Sequence, residues 1–281
     1  MIRSLRIRDG PRFLAAAHAG LYLDERAVRV DRFHPIEAAT LSLFFPDLAP
    51  VLTLSDPSGS YFLQLSCRRG GEEGRLLFMA PAPATLDLES TAEWEIVLQA
   101  IVEWAAAHGI RRLVAEVALD ELRPALLQRL GFERARRYTV WAGPARVVEQ
   151  AFQTLVGREP PFHASSWALY RGAKGAWVEE IRSVSEDPLL GLAQTLADLG
   201  TRWRHPVYAQ VRRETPKVTE ALRALGFYPA FTLWRMVRWV AVPLRLPSAK
   251  EQETIASASL AFYFLHQMAR SPIQERAAGS G

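Results

Sequence analysis

Apolar residues recur at helical spacing in one long segment of the chain. They fall on one side of a helix between residues 94 and 105, at Trp94, Val97, Leu98, Ile101, Trp104 and Ala105. Ser90 and Glu93 have the spacing of a capping box, and His108 with Gly109 is typical of a helix end. The pattern predicts a helix that begins at Ser90 and buries one face.

Short apolar runs flank glycine-rich turns at two places. Residues 61–68 and 75–80 flank a turn at 69–74, and a second pair of runs lies at 166–170 and 176–181. This arrangement is typical of β-hairpins. We therefore predict one hairpin in each half of the chain.

The order of elements after the first hairpin recurs after the second. Each hairpin is followed by a predicted helix, a strand, a short helix closed by Leu-Gly-Phe and a final strand. The Leu-Gly-Phe triplets are residues 130–132 and 225–227, and the final strands contain Tyr138-Thr-Val-Trp and Phe231-Thr-Leu-Trp. Chance is the alternative explanation, because glycine often ends helices, but several matching elements in one order favour a repeat.

The remaining segments carry weaker patterns. Residues 3–8 predict a strand, Gly10-Pro11 predicts the start of a helix, and residues 21–60 predict a helix with loops. Residues 253–269 predict an amphipathic helix that packs on a domain or on a second subunit, so a homodimer is one hypothesis. With 281 residues, the chain exceeds what one core usually holds. We predict a mixed α/β fold with domains at 1–143 and 150–246 and a tail at 247–281.

Charge and composition exclude several classes of function. The first residues alternate charged and apolar side chains, which argues against a signal peptide or membrane span and favours a cytoplasmic protein. The net charge is only +4 and the arginines are scattered, which argues against a nucleic-acid-binding arm. The run Arg202-Trp-Arg-His could contact RNA, because cationic and aromatic side chains alternate in it. The alternative is a charged loop in which Trp203 packs on the core.

The histidine and cysteine positions give no sign of a metal site or a nucleophile. The six histidines lack metal-ligand spacing, so we predict no metal site. Cys67 is interpreted as a small buried residue.

The repeated order, with Leu130-Gly131-Phe132 and Leu225-Gly226-Phe227, resembles the C-terminal core of the GNAT superfamily of acyl-CoA N-acyltransferases. The resemblance implies two tandem copies, the second shortened at its start. It implies acetyl-CoA as co-substrate and a small-molecule or peptide amine as acceptor. In the first copy the backbone of Leu77, Phe78 and Met79 would pair with the pantetheine arm, as 178–181 would in the second copy. The helix start at Ser90 and Thr91 would face the pyrophosphate.

The chain departs from the family pattern where the cofactor would bind. Residues 80–93 contain no glycine and carry Asp87, Glu89 and Glu93, whose charges repel a pyrophosphate. In the family, a tyrosine usually acts as the general acid that protonates the leaving thiolate. Leu127 in the first copy and Leu222 in the second occupy its position.

The first copy contains candidates for a general base and for a proton donor. Glu116 lies on a predicted strand, at a position where a general base could act on an amine. Alternatively, Glu116 is an outward-facing residue of an alternating strand without a catalytic role. Tyr138, like Tyr61, could donate a proton to a thiolate, with core packing as the alternative. The leading hypothesis is an N-acetyltransferase. Its rival is a GNAT-like scaffold without catalysis that binds a small ligand or a protein partner.

Overall fold

The computed structural model describes residues 2–31, 33–45, 49–67, 71–83, 88–156, 167–180, 187–212 and 215–240, without the side chains of residues 88–90 and 180. Several predictions lie outside this part of the chain. They concern the tail at 247–281, residues Ser166, Ile181 and Asp87, and the side chain of Glu89.

Strands and helices are interspersed along the chain. The first half contains β1 (Arg3–Ser4), α1 (Gly10–Ala17), β2 (Leu21–Tyr22), α2 (Glu25–Arg29), α3 (Pro35–Phe44), β3 (Leu52–Ser55), β4 (Phe62–Cys67), β5 (Glu73–Ala80), α4 (Leu88–Ala107), β6 (Arg112–Ala118), α5 (Leu122–Arg129) and β7 (Glu133–Gly143). The second half contains α6 (Arg146–Leu155), β8 (Trp167–Arg171), β9 (Ala176–Glu180), α7 (Pro188–Ala197), β10 (Val207–Val211), α8 (Pro216–Ala224) and β11 (Tyr228–Trp239).

Local sequence explains where several helices begin and end. The side chains of Asp24, Asp187 and Thr215 accept hydrogen bonds from the first turns of α2, α7 and α8. The glycines of the two Leu-Gly-Phe triplets have φ of 80° and 85°, a conformation that favours glycine after a helix end. The repeated triplet therefore has a conformational cause at both positions.

The two repeated halves are present, and they share one mixed sheet. Among the described residues this sheet has eleven strands, in the order β1-β3-β4-β5-β6-β11-β7-β10-β9-β8, with β2 paired to β5. The predicted mixed α/β class is confirmed. Residues 1–242 form one compact unit.

The final strands of the two halves are exchanged. β11 belongs to the second half but lies between β6 and β7 of the first, antiparallel to both. β7 in turn pairs with β10 of the second half, from Thr139 to Gly143. Each half thus contains an inner strand supplied by the other. The predicted domain boundaries stay a prediction.

Helices pack on the sheet in separate clusters. α4 and α5 cover one core of the first half, which contains Trp94, Leu98 and Ile101 as the helical spacing predicted. Helices α6, α7 and α8 cover the second half, where Trp203 also packs. α1 and α3 contribute to a third cluster with Phe62 and Leu77 of the sheet.

Three predictions about elements are corrected. α4 begins at Leu88, so Ser90 lies in its first turn and is not the N-cap. The Glu93 carboxylate instead accepts a hydrogen bond from the Tyr61 hydroxyl. The predicted first strand is only two residues long, because a 3-10 turn at Ile7–Asp9 follows it. Residues 21–60 contain two strands as well as helices.

Candidate functional site

The groove expected to hold pantetheine lies between two parallel strands of the first half. β5 and β6 pair only from Glu73 to Arg75, opposite Arg112 to Val114. Past this point residues 21–24 of the same chain bond to both strands. The N–H of Leu23 donates to the Leu77 carbonyl at 2.8 Å, and the Glu116 N–H donates to the Leu23 carbonyl at 3.0 Å.

The remaining cofactor-binding residues predicted on β5 are paired in the same way. Leu21 lies opposite Met79, and Tyr22 lies opposite Phe78. The other edge of β5 pairs with β4. In this structure the backbone of Leu77, Phe78 and Met79 therefore presents no open edge to a ligand, contrary to what the family resemblance implies.

Leu23 is fixed in the groove by packing as well as by hydrogen bonds. Its side chain is 1% exposed and belongs to the core beneath α4. Burying a leucine side chain contributes about 1.5–3 kcal/mol relative to leaving it exposed. A ligand that enters this groove would have to displace that contact.

The first turn of α4 contains the residues predicted to face the pyrophosphate. The Thr91 side chain is fully buried, and the neighbouring Trp94 ring nitrogen donates to the Pro81 carbonyl at 3.1 Å. The backbone of Ser90 lies in the same first turn. The Thr91 hydroxyl is therefore not exposed to a ligand, and the contact of this turn with a pyrophosphate stays a prediction.

The equivalent strands of the second half stay paired over the described residues. Residues Ala176 to Glu179 of β9 lie opposite Val207 to Gln210 of β10. The other edge of β9 pairs with β8. Val178 and Glu179, predicted to bind pantetheine in this half, are therefore bonded within the sheet.

Glu116 lies in a buried ionic cluster. Its side chain is 2% exposed and accepts a hydrogen bond from Arg75 at 2.8 Å. Arg75 also donates to Asp24 at 2.8 and 3.0 Å. Burial acts to raise the pKa of Glu116, but the charges of Arg75, Arg235 and Arg26 outweigh it and lower the pKa. This arrangement makes Glu116 a counter-ion of two arginines, and its predicted role as a general base stays a prediction.

Arg235 joins both predicted catalytic residues to the second half of the chain. Its guanidinium lies 3.6 Å from Glu116 and 3.7 Å from Glu179 of β9, and it donates to Glu73 at 3.1 Å. Burial lowers the pKa of Arg235, whereas Glu116, Glu73 and the hydroxyl of Tyr138 raise it. Glu116 and Tyr138, far apart in sequence, thus meet at one arginine. Tyr138 is itself buried against Val30 and Trp177.

A cavity of about 370 Å³ adjoins the closed groove. Arg75 and Leu77 line it from β5, α2 and α3 form other walls, and Tyr170 of the second half closes one side. Asp31 accepts a hydrogen bond from Tyr170. The guanidinium of Arg26 lies 4.4 Å from the centre of the Tyr170 ring.

The side chains in this cavity have perturbed ionisation. Burial raises the pKa of Asp31, and Tyr170 and Arg26 offset only part of this effect. The pKa of Tyr170 is raised to about 12, first by burial and then by Asp31. The sequence carries no signal for a site at Asp31, Tyr170 and Arg26, because no motif contains them and the two halves of the chain supply them separately.

The other candidates have structural explanations. Burial raises the pKa of Cys67 to about 11, which disfavours a nucleophilic thiolate. Burial and Glu93 raise the pKa of Tyr61 to about 12. Among the residues that the structure describes, no group of His, Cys, Asp or Glu could hold a metal ion. None of the described helices is long and apolar enough to cross a bilayer.

No family model and no curated protein matched the chain. Solved structures did match. The chain is similar to a tandem GNAT protein from the clavulanic acid biosynthesis pathway, at 12% identity and TM-score 0.46, covering 86% of this chain and 98% of that one. It is also similar to a GCN5-related N-acetyltransferase from Sphaerobacter thermophilus, at 12% identity and TM-score 0.48, covering 88% and 97%.

A third match covers about half of this chain. It is the ribosomal-protein-S18-alanine N-acetyltransferase from Escherichia coli, at 18% identity and TM-score 0.32, covering 49% of this chain and 79% of that one. At these values no argument about activity rests on the matches. The mixed sheet and the two repeated halves are features of the chain itself, and the GNAT superfamily stays what the sequence resemblance implies.

Proposed function

We propose that this chain is a GNAT-like binding protein that holds a small amine in the cavity between its two halves, without acyl transfer in the usual mode of the family. The observation that carries this proposal is the position of Leu23. Its N–H and carbonyl satisfy the strand groups of Leu77 and Glu116 that a pantetheine arm would need. Buried backbone groups are almost always paired, and here the chain itself pairs them.

The cavity provides the alternative use of the site. It lies beside Arg75 and Leu77, where an acceptor would approach the groove, and carries the acids Asp31 and Glu37 in addition to Asp24, which is paired with Arg75. An ammonium group favours such surroundings, because it compensates for partly desolvated carboxylates. The volume of about 370 Å³ is within the range of small-ligand sites.

N-acetyltransferase activity is the second candidate, and one observation favours it. The cavity and the groove share Asp24, Arg75 and Leu77. Withdrawal of residues 21–24 would therefore open the groove directly onto the cavity. This alternative requires acetyl-CoA to compete with an intramolecular segment, which reduces the apparent affinity.

Isothermal titration of the full chain with acetyl-CoA and desulfo-CoA separates the two candidates. We expect no binding in the micromolar range. Hydrogen exchange of the Leu23 amide, measured with and without acetyl-CoA, provides a direct control for the groove. The amide is expected to stay protected in both samples. Micromolar binding together with loss of protection at Leu23 would reject the binding-protein proposal in favour of an acyltransferase.

A further inference from the structure

The cavity wall depends on a contact between the two halves of the chain. The N–H of Lys174, in the turn between β8 and β9, donates to the Val30 carbonyl at 2.8 Å, just after α2. This contact holds Tyr170 of β8 beside Arg26 and Asp31. The site is therefore absent from either half alone.

Most charged groups at the back of the cavity already neutralise one another. Asp24 accepts hydrogen bonds from Arg75 and from the Ala27 N–H, and Arg75 also donates to Glu116. Removing a partner from such a buried charge costs free energy. Asp24, Arg75 and Glu116 are therefore expected to stay paired with one another when a ligand binds.

Two opposite charges, those of Asp31 and Arg26, adjoin one tyrosine of the cavity wall. The carboxyl of Asp31 accepts from the Tyr170 hydroxyl, and the partly exposed guanidinium of Arg26 lies over the face of the same ring. The partly buried Asp31 favours a cationic partner, and Arg26 can form bidentate hydrogen bonds with a carboxylate. An amine alone would use only the first of these groups.

The remaining wall is apolar. Phe33, Leu41, Val51 and Leu77 line it together with the charged groups. A few convergent polar groups on an apolar wall are typical of sites that orient a small ligand. The wall is suited to a short hydrocarbon side chain.

We propose that the cavity binds a small zwitterion, an α-amino acid with an apolar side chain, whose ammonium contacts Asp31 and whose carboxylate contacts Arg26. This inference rests on the proposed function, because it specifies the ligand class of the same cavity. It adds a required carboxylate, which the fold resemblance does not imply.

The test is isothermal titration of the full chain with leucine, isoamylamine and 4-methylpentanoate. The last two probes keep the side chain of leucine but lack its carboxylate or its ammonium. We expect leucine to bind at least about ten-fold more tightly than either one. Arg26→Gln should remove this preference over the amine, whereas Asp31→Asn should weaken binding of both leucine and the amine.

Arg29→Gln is the matched control, because it removes the same charge from the same helix. Arg29 lies outside the cavity, where it pairs with Glu25 and stacks on Phe231. Equal binding of leucine and isoamylamine would overturn the zwitterion inference and leave the amine proposal standing. An effect of Arg29→Gln as large as that of Arg26→Gln would also overturn it. Absence of binding by all three probes would overturn both proposals, and the acetyl-CoA titration is a separate readout of the acyltransferase candidate.

Discussion

At the scale of single residues, two glutamates that share one arginine have pKa values shifted in opposite directions. Arg235 lies between Glu116 and Glu179. The pKa of Glu116 is lowered because Arg75, Arg235 and Arg26 outweigh its burial. The pKa of Glu179 is raised, first by its own burial and then by the charge of Glu116. The two carboxylates therefore contribute to stability with different signs.

Glu116→Gln should destabilise the protein by about 3 kcal/mol at neutral pH, because it leaves a buried cluster with unbalanced guanidinium charge. The lowered pKa means that the wild-type carboxylate stabilises above its unfolded pKa and loses this effect as pH falls through its folded pKa. The difference between variant and wild type should thus shrink in acid. Urea unfolding at neutral and acidic pH measures it, and Glu103→Gln on the exposed face of α4 is the control. A pH-independent difference would contradict the ionic role of Glu116.

Glu179→Gln should have the opposite sign. An acid whose pKa is raised on folding binds its proton more tightly in the folded state, so stability falls as pH rises through that pKa. Removing the charge should therefore make the variant more stable than wild type at neutral pH, and the gain should disappear at acidic pH. Unfolding midpoints at the two pH values test this. A variant that is less stable at neutral pH would show that the contact with Arg235 dominates.

At the scale of elements, the turn between β8 and β9 fixes the relation of the two halves near the cavity. A β-carbon on Gly172 would lie 2.3 Å from the carbonyl oxygen of Val30 and 2.7 Å from its carbonyl carbon. Both are backbone atoms that cannot rotate away. Glycine is required here because the two backbones approach closely.

Gly172→Ala should destabilise the chain by about 2 kcal/mol, because the added methyl group forces the turn away from Val30. Thermal unfolding measures this change. Gly10→Ala is the control, since a β-carbon on Gly10 meets no atom within 4 Å. Because Tyr170 is held by the same contact, the Gly172 variant should also bind leucine more weakly. Unchanged stability and binding would contradict the role of this turn.

The elements that sequence analysis found are those determined by local pattern. The apolar stripe of α4, the two hairpins and the glycine-ended helices α5 and α8 follow from spacing and turn residues. The elements missed depend on distant partners. β2 has two residues and exists because β5 lies beside it, more than 50 residues later. β11 extends past Trp234 through Arg235, whose charge is neutralised by acids from three other strands.

The same reasoning explains which site residues were found. Glu116 and Tyr138 were predicted from their positions in a repeated order of elements. Their common contact with Arg235 was not, because it depends on the exchange of β11. The occupied groove could not be predicted either, because residues 21–24 carry no sequence signal of their partners.

At the scale of the whole molecule, the exchanged strands make the two halves dependent on each other. β11 has seven register pairs with β6 and nine with β7. Without the second half, β6 would lose one of its two neighbours in the sheet and β7 would lose both. An unpaired inner strand exposes backbone groups and apolar surface to other chains.

Residues 1–156 expressed alone should therefore fail to fold cooperatively and should aggregate. Co-expressed with residues 157–281, they should form a stable one-to-one complex. Circular dichroism and size-exclusion chromatography distinguish these outcomes. The full chain cleaved at an engineered protease site after residue 156 is the control, and it should remain associated. Cooperative unfolding of residues 1–156 alone would favour the independent domains predicted at 1–143 and 150–246.

The exchange also has a consequence for how such a chain changes under selection. A duplicated enzyme domain that loses its reaction is ordinarily free to decay or to be deleted. Here deletion of the first half would remove β7, the strand that completes the sheet of the second half beside β10. Under the proposed function, selection would retain a half with a closed groove for its architecture, while the cavity beside that groove could acquire a different ligand without loss of the fold.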